Sequence, residues 1–443
     1  MNGVKIVNCG VVVWKLNMNI YKIRMRAAVV ASCISLSLAG HSMAGTPIKT
    51  VPWNGHVGAV SFTFDDALAN QPQNLKPMLD DLPDVHVTFF LTDMGNGLKQ
   101  NAAGFAALAK AGNEIGNHTK THAHLTGVGS DSELEEEIVK FAETIESTLA
   151  EQGADVKVTS LATPFCENNA KIKDVIAKRH FINRDCGWHG RNDWDTEPDW
   201  MSLQAKIWTR SGATVTEMLS ALDTAAYIGN FEGANPWDVQ VKDGSWLVVL
   251  NHGVTDDAGD DYAINPSDIK KIFEHAVENK LWVAPFGTVG AYHRAHFVVD
   301  AATSNATDDG FTVTWEIPNE HMPKSVPLRV KIDTQSVDEN AVVEQAGKKI
   351  VPESDGSYII EFMAKELKVR KPNADDVLDD SQSSLHKTIF ANPAYTKYTV
   401  FDLNGVRLGG TNGWIIPASY PKGSYIIRAE AGDLPAVTRI VNK

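Results

Sequence analysis

The sequence predicts an α/β fold followed by all-β modules, and three observations carry that reading. From Val57 to about His293, strand-like runs rich in β-branched and aromatic residues alternate with amphipathic helix-like runs. Beyond about residue 296 the texture turns to short strands separated by Asp, Gly and Pro turns. Finally, 443 residues with 43% hydrophobic and 22% charged side chains make a globular chain too long for one core, which excludes wholesale disorder, collagen and coiled coil. Alternation over about 240 residues implies a parallel sheet, closed as a barrel or doubly wound, with chemistry expected at the strand ends.

The elements follow in order. VGAVSFTF (57–64) and VHVTFFL (85–91) read as buried strands, and NLKPMLDDL (74–82) and AAGFAALAKAG (102–112) as helices. In 132–151, Leu134, Ile138, Phe141, Ile145 and Leu149 step by helical intervals, and Ser132 with Glu135 offers a capping box. Further strands are expected at 158–163, 180–186, 245–253 and 281–286. In the second half, 311–317, 328–333 and 357–363 read as strands, as do 397–405 and 422–430. GSYII occurs at 356–360 and again at 423–427, too little for a repeat architecture.

Charge separates the start of the chain from the rest. Residues 1–44 hold Lys5, Lys15, Lys22, Arg24 and Arg26 and no carboxylate. Of the 41 basic residues in the chain, 36 remain against 55 acidic ones, so the net charge beyond residue 44 is −19. An acidic protein of this kind is a poor partner for nucleic acid, whose phosphates need a basic face. The basic start, the apolar run Ala27–Gly40 and Ser42-Met43-Ala44 form the pattern of a secretory signal peptide cleaved after Ala44. The apolar run is too short for a comfortable membrane span. Cys33 could be read as a lipidation site, but the run continues past it and cleavable export is preferred. Met18 or Met25 would be a more conventional start. Two cysteines remain after the leader, Cys166 and Cys186, an even number in an oxidising compartment.

Three stretches carry ligand-type side chains at strand ends. Asp65 and Asp66 close the first strand, where two adjacent carboxylates repel each other unless a cation intervenes; helix capping is the plainer explanation of such a pair. His118, His122 and His124 fall within seven residues, although the whole chain has 14 histidines. His118 and His122 can turn to one point and, with a carboxylate, make the open three-ligand set of catalytic zinc; an accidental surface cluster would look the same. His252 leaves the apolar strand WLVVL as Asn251-His252-Gly253, where a core histidine and a proton donor are both compatible.

Taken together, a strand ending TFDD, then NHTKTH about fifty residues on, then a strand ending LNH, resembles the polysaccharide deacetylase family (NodB homology, carbohydrate esterase family 4) over roughly residues 52–293. The resemblance implies a distorted (β/α) barrel. It implies that Asp66, His118 and His122 ligate zinc or another divalent cation. Asp65 would act as the general base toward the attacking water and His252 as the general acid for the departing sugar amine or hydroxyl. The oxyanion would be met by a backbone N–H beside the third motif, that of Phe165.

Two motifs depart from the family pattern. The third motif usually reads Arg-x-Pro-Tyr/Phe-Gly and here reads Ala162-Thr163-Pro164-Phe165-Cys166, so the arginine that pairs with the base is absent. Arg184 or Arg191 could supply that charge, and Arg184 is preferred because it lies on the next strand. The Gly-to-Cys change would bring Cys166 beside Cys186 and favours a disulfide between them. The fourth motif, an Asp followed by a Trp, fits Asp185 with Trp188 or Asp193 with Trp194; the first is preferred, with Asp185 in a supporting role. Six of the 11 tryptophans lie between Trp188 and Trp246, and Trp188 is the one expected to line a glycan cleft.

TVFDLNGVRLGG (399–410) with Pro421–Ile427 resembles a type IX (Por) secretion sorting module, a small β-sandwich that would engage secretion machinery. The expected organisation is therefore a signal peptide (1–44), a catalytic domain (45–295), a β-rich accessory domain (296–370), an acidic linker (371–386) and a C-terminal β module (387–443). The expected function is a secreted, extracellular, zinc-dependent hydrolase that removes acetyl groups from a polysaccharide, either N-acetyl of the chitin and peptidoglycan type or O-acetyl of the xylan type. The alternative is a non-catalytic glycan-binding protein on a degenerate deacetylase scaffold, motivated by the missing arginine.

Overall fold

A computed structural model describes residues 46–187, 190–226, 244–373, 376, 397–401, 407–411, 424–431 and 434–442. The leader (1–44), Trp188 and most of the linker and C-terminal module lie outside the described residues.

The first half runs β1 (Ile48–Thr50), β2 (Ala59–Asp65), α1 (Asn70–Asp80), β3 (Thr88–Leu91), α2 (Gly97–Lys110), β4 (Glu114–Asn117), α3 (Asp131–Glu135), α4 (Phe141–Glu151), β5 (Ser160–Ala162), α5 (Ala170–Ile176) and β6 (Ile182–Arg184). It continues with β7 (Arg191–Asp193), β8 (Lys206–Ile207), α6 (Val215–Ala225), β9 (Ser245–Asn251), α7 (Pro266–Glu278), β10 (Trp282–Val283) and α8 (Phe286–Asp300).

The main sheet has the order β6-β5-β4-β3-β2-β9-β7, with β10 also on β2 and β8 also on β9. All its pairings are parallel except β7 with β9. Residues 203–207 lead back from β6 to β9: Asp185 and Gly187 donate backbone hydrogen bonds to Leu203 and Ala205, and β8 pairs β9. The sheet thus curls into a distorted (β/α) barrel, the α/β class expected.

Parallel strands covered on both faces are apolar throughout. Every residue of β2 and of β9 is buried. The few polar side chains among them are satisfied locally: Ser61 donates to the Ala284 carbonyl and Thr63 to that of Val249. Because the strands are parallel, Asp65 and Asn251 end theirs at the same rim, beside the last residue of β4.

The helix expected over 132–151 forms with a difference. It is interrupted by a π-helical turn at 136–140, and its capping box is Ser130 with Glu133, one pair upstream of Ser132 and Glu135. Ser130 has extended backbone and Ser132 is already helical, so only Ser130 can cap. The sequence texture suggested strands from about 296; instead α8 continues to Asp300. Its sequence is apolar nearly all round, because one face packs on the barrel and the other on the β unit.

Then come β11 (Thr303–Thr307), β12 (Gly310–Thr314), β13 (Pro327–Ile332), β14 (Val342–Gln345), β15 (Lys348–Ile350), β16 (Tyr358–Glu361) and β17 (Glu366–Arg370). They form antiparallel sheets of order β11-β12-β17-β14-β15 and β1-β13-β16. The strand that precedes the barrel, β1, thus belongs to the β unit's sheet. Phe286, Tyr292, Phe311, Trp315, Leu328 and Phe362 share one core with Trp53 and Trp246 of the barrel. The last sheet, β18 (Lys397–Phe401), β19 (Arg407–Thr411), β20 (Ser424–Ala431) and β21 (Leu434–Asn442), has the antiparallel order β19-β18-β20-β21. Among the described residues no helix is long and apolar enough to cross a membrane.

Candidate metal centre and active site

The site begins where β2 ends. Asp65 is 2% exposed, and the chain then enters the left-handed region at Asp66 (φ 79°) and Ala67 (φ 55°). Non-glycine residues rarely adopt that conformation, and surrounding structure must hold it. Here it lets Asp65 reach Arg184 and Asp66 reach His122, while His118 Nε2 lies 3.6 Å from an oxygen of each. The holding structure includes Gln71, fully buried on α1, whose amide donates to the backbone carbonyls of Asp65 (2.5 Å) and His252 (2.9 Å). Asn101 donates to the Ala67 carbonyl.

His118 follows β4 and is buried; its Nδ1 donates to the Ala162 carbonyl at 2.8 Å, which leaves Nε2 facing Asp66 at 3.6 Å. The loop beyond it is again left-handed at Thr119 (φ 64°) and His122 (φ 57°), with Asn117 Oδ1 accepting from the Thr119 amide. That turn returns His122 so that its Nε2 lies 3.5 Å from the same Asp66 oxygen.

One ligand atom from each of Asp66, His118 and His122 lies within 4.8 Å of the others. Ligands about 2 Å from a tetrahedral cation stand about 3.3 Å apart. Asp66 Oδ1 is buried and accepts no hydrogen bond, a costly state for an anion without a cation. Burial and the neighbouring Asp65 charge push Asp66 up to about 6. Burial pushes His118 down to about 4, leaving a neutral imidazole with a free lone pair. Two neutral imidazoles and a carboxylate with one side open fit a divalent cation.

Arg184, at the end of β6, is 1% exposed and donates from Nη2 to Asp65 Oδ2 at 2.5 Å, with its guanidinium 5.3 Å from the centre of the Phe90 ring. Arg184 therefore supplies, from the next strand, the charge that the third motif lacks. Burial alone would raise the Asp65 pKa, but Arg184, and then His118 and His252, outweigh it and hold the carboxyl below its ordinary range. His252, just past β9, places Nε2 at 4.0 Å from Asp66 Oδ2 and also helps to lower the Asp65 pKa.

Phe165 sits in a left-handed turn (φ 56°), its ring edge-on to His122 at 4.6 Å and stacked on His124 at 3.7 Å. His124 is tied in turn to Glu167 at 2.8 Å. Cys166 and Cys186 form a disulfide that links this turn to the strand end carrying Arg184. Asp185 is not gathered into the centre: its carboxylate accepts from Ser202 and from the Cys186 amide. Trp194, Trp200, Trp208 and Trp246 are all buried, which assigns them to packing. Gln71 carried no motif signal, and only its position five residues after Asp66, at the start of a helix, marked it.

Residues 54–181 match the family model described as polysaccharide deacetylase. No curated protein matches the chain. Among solved structures, a family 4 carbohydrate esterase from Streptomyces lividans in complex with acetate is 22% identical, over 51% of this chain and 91% of that one, with a TM-score of 0.34. The peptidoglycan deacetylase PdaC from Bacillus subtilis is 14% identical, over 54% and 91%, with a TM-score of 0.35. A family 4 pseudoenzyme from Bacillus anthracis is 18% identical, over 52% and 64%, with a TM-score of 0.34. The segment matched to that family model contains Asp65, Asp66, His118 and His122 but stops short of Arg184 and His252.

Proposed function

We propose that this protein is an exported, metal-dependent deacetylase that hydrolyses acetyl groups on a polysaccharide. The observation that carries the reading is the convergence of three environments on adjacent carboxylates: Asp65 ion-paired to a buried arginine, Asp66 facing two neutral imidazoles, and His252 with Nε2 4.0 Å from Asp66 Oδ2. Zinc or a similar cation held by Asp66, His118 and His122 would polarise the acetyl carbonyl and acidify a water at the site. Asp65 takes the proton from the attacking water, and Arg184 keeps Asp65 ionised and oriented for it. The Phe165 amide donates to the oxyanion. His252 hands a proton to the leaving nitrogen or oxygen, as cleavage of an amide or ester requires. The pairing of Asp65 with Arg184 supports a catalytic over a purely binding role, because the base retains a cation. Residues 1–44 act as the export signal, and the C-terminal module engages the secretion machinery.

Acetate release from acetylated xylan, chitin oligomers and peptidoglycan, measured with and without added zinc, tests this reading. Asp65→Asn is expected to lower kcat about 10³-fold while leaving zinc content intact. Metal-loaded wild type that releases acetate from none of the three would refute it.

A further inference from the structure

Among residues whose side chains are described, two Phe, Tyr or Trp rings are exposed: Phe165 at 51% and Tyr262 at 65%. Both belong to the rim of the metal centre. Phe165 lies edge-on to His122 at 4.6 Å, His122 is 3.5 Å from Asp66, Asp66 is 4.0 Å from His252, and Tyr262 lies edge-on to His252 at 5.5 Å. The two rings thus end a continuous line of side chains that passes through the reacting centre.

Tyr262 is exposed on an anchored loop. The segment after His252 closes on itself, with Ile264 donating to the Gly253 carbonyl at 2.8 Å and Thr255 to that of Ile264 at 3.0 Å. The Asp260 carboxylate accepts from the amides of Tyr262 and Ala263, both at 3.1 Å. Ala263 and Ile264, next in the chain, are buried. A ring kept in water by a loop with such anchors exposes apolar surface that a mobile tip would not need to hold in place. Aromatic faces are apolar platforms for ring-shaped ligands, and a pyranose presents a C–H face of matching size.

We propose that Tyr262 is a sugar-stacking residue flanking the centre on the His252 side, with Phe165 on the other, so that the site takes a chain of pyranose units in preference to one acetylated sugar. The proposal rests on the deacetylase reading for what happens at the middle unit. An acetyl group held between Asp66 and His252 belongs to a sugar whose chain neighbours lie over the two rings. Tyr262 binds the chain; it transfers no proton.

The experiment compares wild type, Tyr262→Ala and Tyr262→Phe as full chains loaded with zinc. Acetate release from N-acetylglucosamine hexamer and acetylated xylohexaose is set against hydrolysis of 4-nitrophenyl acetate. Calorimetric Kd values for both hexamers are measured in the Asp65→Asn background. Tyr262→Ala should raise KM and Kd for at least one hexamer about five- to tenfold, a loss several times that on 4-nitrophenyl acetate, and Tyr262→Phe should recover most of it. Hexamer Kd values unchanged by Tyr262→Ala overturn the proposal. So do equal losses on hexamer and 4-nitrophenyl acetate, which would mean that Tyr262 acts through His252. A wild type that releases no acetate but binds a hexamer through Tyr262 would overturn the deacetylase reading and support the stacking residue.

Discussion

Histidine serves opposite ends in two regions of this molecule. At the strand ends, His118 and His122 turn Nε2 toward an Asp66 oxygen that has no hydrogen-bond donor. On α8, His293 and His296 lie between barrel and β unit among Trp53, Trp194 and Trp200. His293 donates to the Trp194 carbonyl at 3.0 Å and otherwise packs as a flat ring. All four are buried or largely so. What separates them is the neighbourhood. In the first region it is a carboxylate oxygen without a donor, reached through left-handed backbone. In the second it is indole rings around His293, and for His296 a carboxylate at 3.6 Å, Asp300, that already accepts from Thr50. Burial and residue type are shared, and only the first arrangement offers lone pairs to a common point.

Substitutions in the two regions should therefore fail differently. His118→Ala is expected to abolish stoichiometric zinc binding and lower kcat by 10³-fold or more, read by elemental analysis and acetate release; a fully active, metal-replete His118→Ala would erase the distinction. Next in size, Arg184→Met leaves Asp65 buried and unpaired, so the unfolding free energy should fall by about 3–5 kcal/mol in urea titrations, with kcat reduced as well. Arg184→Lys should recover only part, since an ammonium lacks the planar fork. On the packing side, His293→Ala should cost about 2–4 kcal/mol of stability and leave zinc content unchanged. A loss of bound zinc in that variant would show that the two regions are coupled.

The smallest effect is one of pH. Burial pushes His293 down to about 3, and His180 likewise, so the folded state keeps both neutral while the unfolded chain protonates near 6.5. The unfolded state binds more protons between those values, so stability is fully present above about 6.5 and falls as pH drops toward 3. The slope is about 1.4 kcal/mol per histidine per pH unit. In His293→Phe the difference in urea midpoint between pH 7.5 and 5.0 should shrink; an unchanged difference would mean that His293 is not held neutral.

Much of the site was legible because its chemistry is written in short motifs. Asp65–Asp66, His118 with His122, and His252 each sit where an apolar run stops, and parallel strands bring such stops to one rim. Arg184 was legible in part: a missing arginine calls for a substitute, and strand order favoured the nearest one. Gln71 and Tyr262 left no such trace, because what each contacts depends on how a helix start and a loop fold back on the rim. The capping box shifted by one pair because two serines two residues apart offer the same pattern, and backbone geometry selects between them. The tryptophans divide: Trp194, Trp200, Trp208 and Trp246 are buried, as core packing explains for most tryptophans, while Trp188, the one expected in a glycan cleft, lies outside the described residues.

By itself the sequence determined the α/β order, the metal-type donor set and the change to β structure. These follow from periodicity and from residue chemistry within short windows. Tertiary structure decided what depends on distance through space: that Arg184 reaches Asp65, that β1 joins a sheet more than 250 residues away in sequence, and that Asp185 turns to Ser202. A side chain's partner is set by strand registers and left-handed turns together, and no local pattern encodes their sum.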